Sequence, residues 1–92
     1  MAIEFVRTVQ FTKLLKAGTR LREFNFRKLG GHREGEFSVD TVDERGNRIM
    51  FTMKKQDDRW KLLEEFIPTL PSWISQNEKL LNDTIEAELS HS

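Results

Sequence analysis

Two short runs, FSVDT at residues 37–41 and IMFTM at residues 49–53, constrain the fold of this chain more than any other feature. Apolar side chains recur at every second position in both, the period of a strand with one buried face. Setting Thr41 against Ile49, Val39 against Phe51 and Phe37 against Met53 brings the two apolar sets onto one face. That register leaves Glu44, Arg45 and Gly46 as a three-residue loop. Such loops end in a left-handed residue, and Gly46 falls at that position. Pairing pattern and turn chemistry therefore specify the same hairpin.

The strands on either side are read from the same period. Residues 20–29 alternate, with Phe24 and Phe26 on one face and Glu23, Asn25 and Arg27 on the other. GGHREG at 30–35 supplies the following turn, and the next strand runs over 36–42. The last strand covers 48–54. Ile3, Phe5, Val9 and Phe11 share a parity interrupted by Arg7, which predicts a first strand over 3–11 with a bulge or an early end near Arg7. Residues 11–18 fit either a helical turn ending at Gly18 or continued strand, and are read as strand plus loop.

After residue 56 the period lengthens. Trp60, Leu63, Phe66 and Ile67 follow helical spacing behind Asp57 or Asp58 as cap, which predicts a helix over 58–67. Pro68 and Pro71 end it. A second helix is predicted over 72–89, capped by Ser72, with an apolar stripe of Ile74, Leu81 and Ile85 and with Trp73, Leu80 and Leu89 at its edges. The fold class is α+β: one domain over 1–92, a four-stranded antiparallel meander with one or two C-terminal helices packed on one face. Seven Phe and two Trp offset a modest 37% hydrophobic content, so one core is feasible.

Several chemistries are discounted. There is no cysteine, hence no thiol nucleophile and no disulfide framework. His32 and His91 form no metal-ligand spacing, and both are read as solvated. Asp43 reads as a turn residue, one of a group with Asp40 and Glu44 too sparse for a calcium loop. Gly30 and Gly31 join two strands instead of opening a helix, so they read as turn geometry, not as a phosphate cradle. No enzyme activity and no cofactor are expected. No apolar run approaches the roughly 20 residues of a membrane span, so no membrane association is expected, and the default localisation is cytoplasmic.

Net charge is zero but unevenly spread. Residues 1–36 hold eight Lys/Arg and four Glu, net +4, whereas residues 57–92 hold three Lys/Arg and eight Asp/Glu, net −5. The basic stretch around 20–33 raises single-stranded nucleic acid as an alternative ligand, with Arg20, Arg22, Asn25, Arg27, Lys28 and Arg33 as the candidate contacts. Against it, Phe24 and Phe26 belong to the apolar face, and the other face carries no ring on which a base could stack. The pI of about 6.7 is also far from that of a strongly basic binder. The leading expectation is a small non-enzymatic interaction module, with nucleic acid as a weak ligand and with a homodimer formed through the C-terminal helix.

The strand EFNFRK (Glu23 to Lys28) and the closing RIMFTM resemble the PUR-repeat nucleic-acid-binding modules, over roughly residues 20 to 67 and mostly in element order. Asn25 and Lys28 stand at the matching polar positions. The resemblance implies four strands and a helix, paired repeats or dimers, and single-stranded DNA or RNA as ligand. The Pro-bounded second helix and the acidic tail depart from that pattern.

Overall fold

The computed structural model describes residues 9–90. A five-stranded antiparallel sheet has the order β1 (Gln10–Ala17), β2 (Arg20–Lys28), β3 (Glu36–Val42), β4 (Arg48–Gln56), β5 (Arg59–Leu62). Two helices follow, α1 (Ser72–Ser75) and α2 (Glu78–Ser90). The α+β class and the meander are as the sequence predicts, with one strand more than expected.

The β3–β4 hairpin has the predicted register, with Phe37 opposite Met53, Val39 opposite Phe51 and Thr41 opposite Ile49. Gly46 has φ 80°, the left-handed value the loop requires. Asp43 organises the loop, its Oδ1 accepting the N–H groups of Arg45 and Asn47, both at 2.9 Å.

Two expected elements are corrected. The helix over 58–67 is replaced by a hairpin, in which Gln56 pairs with Arg59 across Asp57 and Asp58. Both aspartates have positive φ, 52° and 66°, the conformation of a type I′ turn, so neither caps a helix. Trp60 and Leu62, two residues apart, are the buried pair, and the helical spacing through Leu63 was coincidental. Pro68 lies within only a short 3-10 turn, Ile67–Thr69. The helix over 72–89 is split: Pro71, not Ser72, is the N-cap of α1, and α2 starts after Asn77, whose carbonyl accepts the Leu81 N–H at 3.0 Å. The first strand lies at Gln10–Ala17, turning into β2 through Gly18 at φ 74°. The expected strand residues 3–8 and the Arg7 bulge lie outside the described residues, as does His91.

One face of the sheet, the inner face, carries the core. Phe24, Phe26, Phe37, Val39, Phe51 and Met53 from β2 to β4 join Trp60 and Leu62 from β5, and Ile74, Leu81 and Ile85 from the helices cover them. Phe37 meets Trp60 edge to face at 5.0 Å, and Phe11 stacks on Phe26 at 4.7 Å. The stripe Ile74, Leu81 and Ile85 is fully spent on this core, with Leu89 packed against it. Most of the apolar stripe expected to face a second copy thus packs against the sheet.

Candidate binding face

Register divides the candidate site residues between the two faces. Cross-strand partners share a face, so Phe11–Phe26 on β1–β2 defines the inner side, and Gln10–Arg27, Thr12–Asn25 and Leu14–Glu23 define the outer one. The outer ladder continues through Asn25–Asp40, Arg27–Ser38 and Asp40–Met50.

Of the six candidate contacts, Asn25 and Arg27 lie on the outer face. Arg22 is buried on the inner face with 9% exposure. Its Nε donates to the Ala17 carbonyl at 3.2 Å, its terminal nitrogen pairs with Glu44, and its guanidinium covers the Trp73 ring at 3.7 Å. These contacts turn it toward Ala17, Glu44 and Trp73, away from the outer face. Arg20 shares that side of β2 and stands 4.0 Å from Glu44. Lys28 pairs with Phe37 at the end of β2, on the inner parity, and is half-buried. Arg33 sits in the 3-10 turn Gly31–Arg33 and is tied to Glu36 by two guanidinium contacts at 3.0 and 3.2 Å. The basic stretch, contiguous in sequence, is divided in space: Arg20 and Arg22 meet at Glu44, Asn25 and Arg27 lie on the outer face, and Arg33 sits in the turn.

What the outer face does hold is a polar chain crossing four strands. Thr12 Oγ1 donates to Asn25 Oδ1 at 2.7 Å, Asn25 Nδ2 donates to Asp40 Oδ1 at 2.9 Å, and the Arg48 guanidinium stands 3.7 Å from the same oxygen. This chain floors an open cleft of about 460 Å³, whose walls include Gln10, Arg27, Ser38 and Met50. Beside it runs an exposed apolar diagonal: Leu14 at 65%, Leu21 at 66%, Val42 at 50% and Met50 at 57% exposure. Among the described residues, four of the five exposed large apolar side chains thus share one face, which α1 and α2 do not cover. Charge also segregates. Lys16, Arg27, Arg48, Lys54, Arg59 and Lys61 outnumber Glu23, Glu36 and Asp40 on the outer face, whereas residues 63–90 hold six carboxylates and one lysine.

Thr12, Leu14, Leu21 and Arg48 were missed by sequence reasoning. The first two escaped because the adjacent Leu14 and Leu15 break the alternation of β1 and hid the strand. A two-residue turn at Gly18-Thr19, followed by the strand pattern from residue 20, was the signal that could have placed it.

Three carboxyls have lowered pKa values. Hydrogen bonding by Arg22 holds Glu44 below its usual value, the Asn47 N–H does the same for Asp43, and the Lys79 ammonium for Asp83. All three belong to turns or surface pairs, not to the cleft. Among the described residues, no three His, Asp or Glu side chains converge as a metal site would need, and no helix is long and apolar enough to cross a membrane. No protein-family model, curated protein or solved structure matches the chain.

Proposed function

We propose that this chain is a small non-enzymatic binding module that takes its ligand on the outer face of the sheet, and that the ligand is an acidic polypeptide segment carrying apolar side chains. The observation that carries this reading is the gathering of Leu14, Leu21, Val42 and Met50 on one uncovered face. Exposed apolar side chains are ordinary when scattered and meaningful when contiguous. The cations around them supply attraction for carboxylates, and the Thr12–Asn25–Asp40 chain presents ordered polar groups between the two.

Selection from a displayed peptide library tests this. Recovered peptides should combine Asp or Glu with Leu, Ile or Phe, and should lose binding by tenfold or more to Leu21→Lys and Met50→Glu variants of unchanged circular dichroism. Backbone amide shifts on binding should map to β1–β4. Peptides that shift α2 instead, or that bind the two variants undiminished, would reject the outer face.

Single-stranded nucleic acid, the ligand class the PUR-repeat likeness implies, is the second reading. The excess of cations on the outer face favours it. The described aromatic rings of the sheet lie on the inner face, which leaves no platform for base stacking. Titration of a labelled oligonucleotide at two salt concentrations separates the readings. Weak binding that vanishes at physiological salt fits the first. Tight binding that persists there, and that Arg27→Ala and Arg48→Ala abolish, would make nucleic acid the ligand.

A further inference from the structure

The two edges of the sheet are treated differently. β5 is four residues long, and two of its N–H groups are taken by α2: Trp60 donates to Asn82 Oδ1 at 2.7 Å and Leu62 to Glu78 Oε2 at 2.9 Å. β1, at the other edge, is eight residues long. The Lys28 N–H donates to the Val9 carbonyl at 2.8 Å, which fixes the phase of the β1–β2 ladder on odd-numbered β1 residues. The N–H and C=O groups of Gln10, Thr12, Leu14 and Lys16 therefore point away from the sheet. Among the described residues nothing pairs with them, and all four residues are exposed. An open edge of this length is a template for another strand.

We propose that β1 pairs antiparallel with β1 of a second copy, about a two-fold axis at Lys13, joining two five-stranded sheets into one. Self-pairing about Lys13 sets Thr12 opposite Leu14 of the second copy and Gln10 opposite Lys16, so every outward backbone group of the strand finds a partner. On the inner face, Phe11 of one copy meets Leu15 of the other. Both are partly buried residues at the rim of the core, and the pairing would complete their burial. Lys13 lies 3.5 Å from Glu88, and a groove of about 340 Å³ between β1 and α2, lined also by Thr84 and Ala87, opens at this rim. The two-fold sets the two Lys13 side chains opposite one another, and the Glu88 beside each offsets their like charge. The outer faces of the two copies become one continuous surface. An interface of one strand pair and its rim contacts is small, and association is expected on the order of micromolar dissociation constants.

Sedimentation equilibrium of the full chain from about 1 µM to 1 mM should show the mass rising from 10.9 kDa to twice that. The chain has no cysteine, so Lys13→Cys introduces its only thiol. Position 13 would face itself in a non-hydrogen-bonded pair, the closest cross-strand approach in an antiparallel ladder. Mild oxidation should convert most of this variant to a disulfide dimer while Lys79→Cys, on an exposed helix position, stays monomeric. Should Lys13→Cys fail to fold, an equal mixture of Thr12→Cys and Leu14→Cys should give the heterodimer in preference to either homodimer. A monomer mass at every concentration overturns the proposal. So does a dimer in which the β1 cysteines cross-link no faster than Lys79→Cys.

Discussion

The Arg22 guanidinium lies 3.7 Å over the Trp73 ring and ties β2 to α1. The same group accounts for the Ala17 carbonyl at the end of β1 and for Glu44 in the β3–β4 loop. One cation thus fastens four segments of a chain that has no disulfide. The charge is tolerable at this depth because it is paired, hydrogen-bonded and stacked.

Arg22→Ala should lower stability by about 2–4 kcal/mol, combining a desolvated cation–π contact with charged hydrogen bonds. Arg22→Lys should recover only part of that loss, since an ammonium neither stacks as a plane nor serves both Ala17 and Glu44. Urea denaturation of the three proteins checks the order. A lysine variant equal to wild type would mean that charge alone matters.

Two glycines separate backbone strain from contact. Gly46 has φ 80° with open space where a Cβ would stand, whereas at Gly18, φ 74°, a Cβ would meet the Trp73 Cβ at 3.2 Å. Gly46→Ala should cost about 1 kcal/mol from backbone conformation alone. Gly18→Ala should cost more, because α1 must also give way. Equal melting temperatures for the two variants would show that α1 yields freely.

The Asp57-Asp58 turn stores removable strain. Both residues are left-handed, and two like charges stand side by side. Asn-Gly is the pair that a type I′ turn prefers. The double variant Asp57→Asn, Asp58→Gly should therefore raise stability by about 1 kcal/mol, read as a higher urea midpoint at unchanged slope. A helix over 58–67 would predict the opposite sign, since the change would remove its cap and add a glycine.

That turn also marks where the sequence stopped being legible. The β3–β4 hairpin was readable because alternation and loop chemistry pointed to the same register. At Trp60 they diverged: the strand signal was only Trp60 and Leu62, while Leu63, Phe66 and Ile67 extended a false helical period. A four-residue strand is too short to show its period, and its pairing with β4 decides the matter. Glu23, Asn25, Arg27, Ser38, Asp40, Val42 and Met50 followed from parity alone, whereas Leu21 and Arg48, at the ends of their strands, were passed over. Their connection to Thr12 and Leu14 required β1 in place, and the burial of Arg22 required Trp73 and Glu44, which lie far from it in sequence.

Stability should fall in acid through Glu44. Its carboxyl is held below the ordinary 4.5 chiefly by the hydrogen bond from Arg22. A group whose pKa is depressed in the folded state contributes stability at pH values above its unfolded pKa, and that contribution is lost as pH falls through the folded value. The loss attributable to Glu44 thus begins near pH 4.5 and deepens below it. Glu44→Gln should be less stable than wild type at neutral pH and should converge towards it in acid. Parallel stability curves for the two proteins down to pH 2 would show that the pair carries no linkage.

Asn82 should prove more important than its partly exposed position suggests. Its Oδ1 accepts the Trp60 N–H at 2.7 Å, and Glu78 serves Leu62 in the same way. Removing the acceptor leaves a part-buried donor without a partner, a loss of about 1–3 kcal/mol. It also converts the hemmed β5 edge into an open one beside Trp60 and Leu62. Asn82→Ala should therefore do two things at once: melt at a lower temperature and, on heating, form aggregates at concentrations where wild type stays clear. Asn82→Asp keeps the acceptor and should show neither effect strongly. Hydrogen exchange supplies the local readout, with the Trp60 amide losing protection in Asn82→Ala and keeping it in Asn82→Asp. Unchanged Trp60 protection in the alanine variant would mean that packing of α2, and not this hydrogen bond, shields the edge.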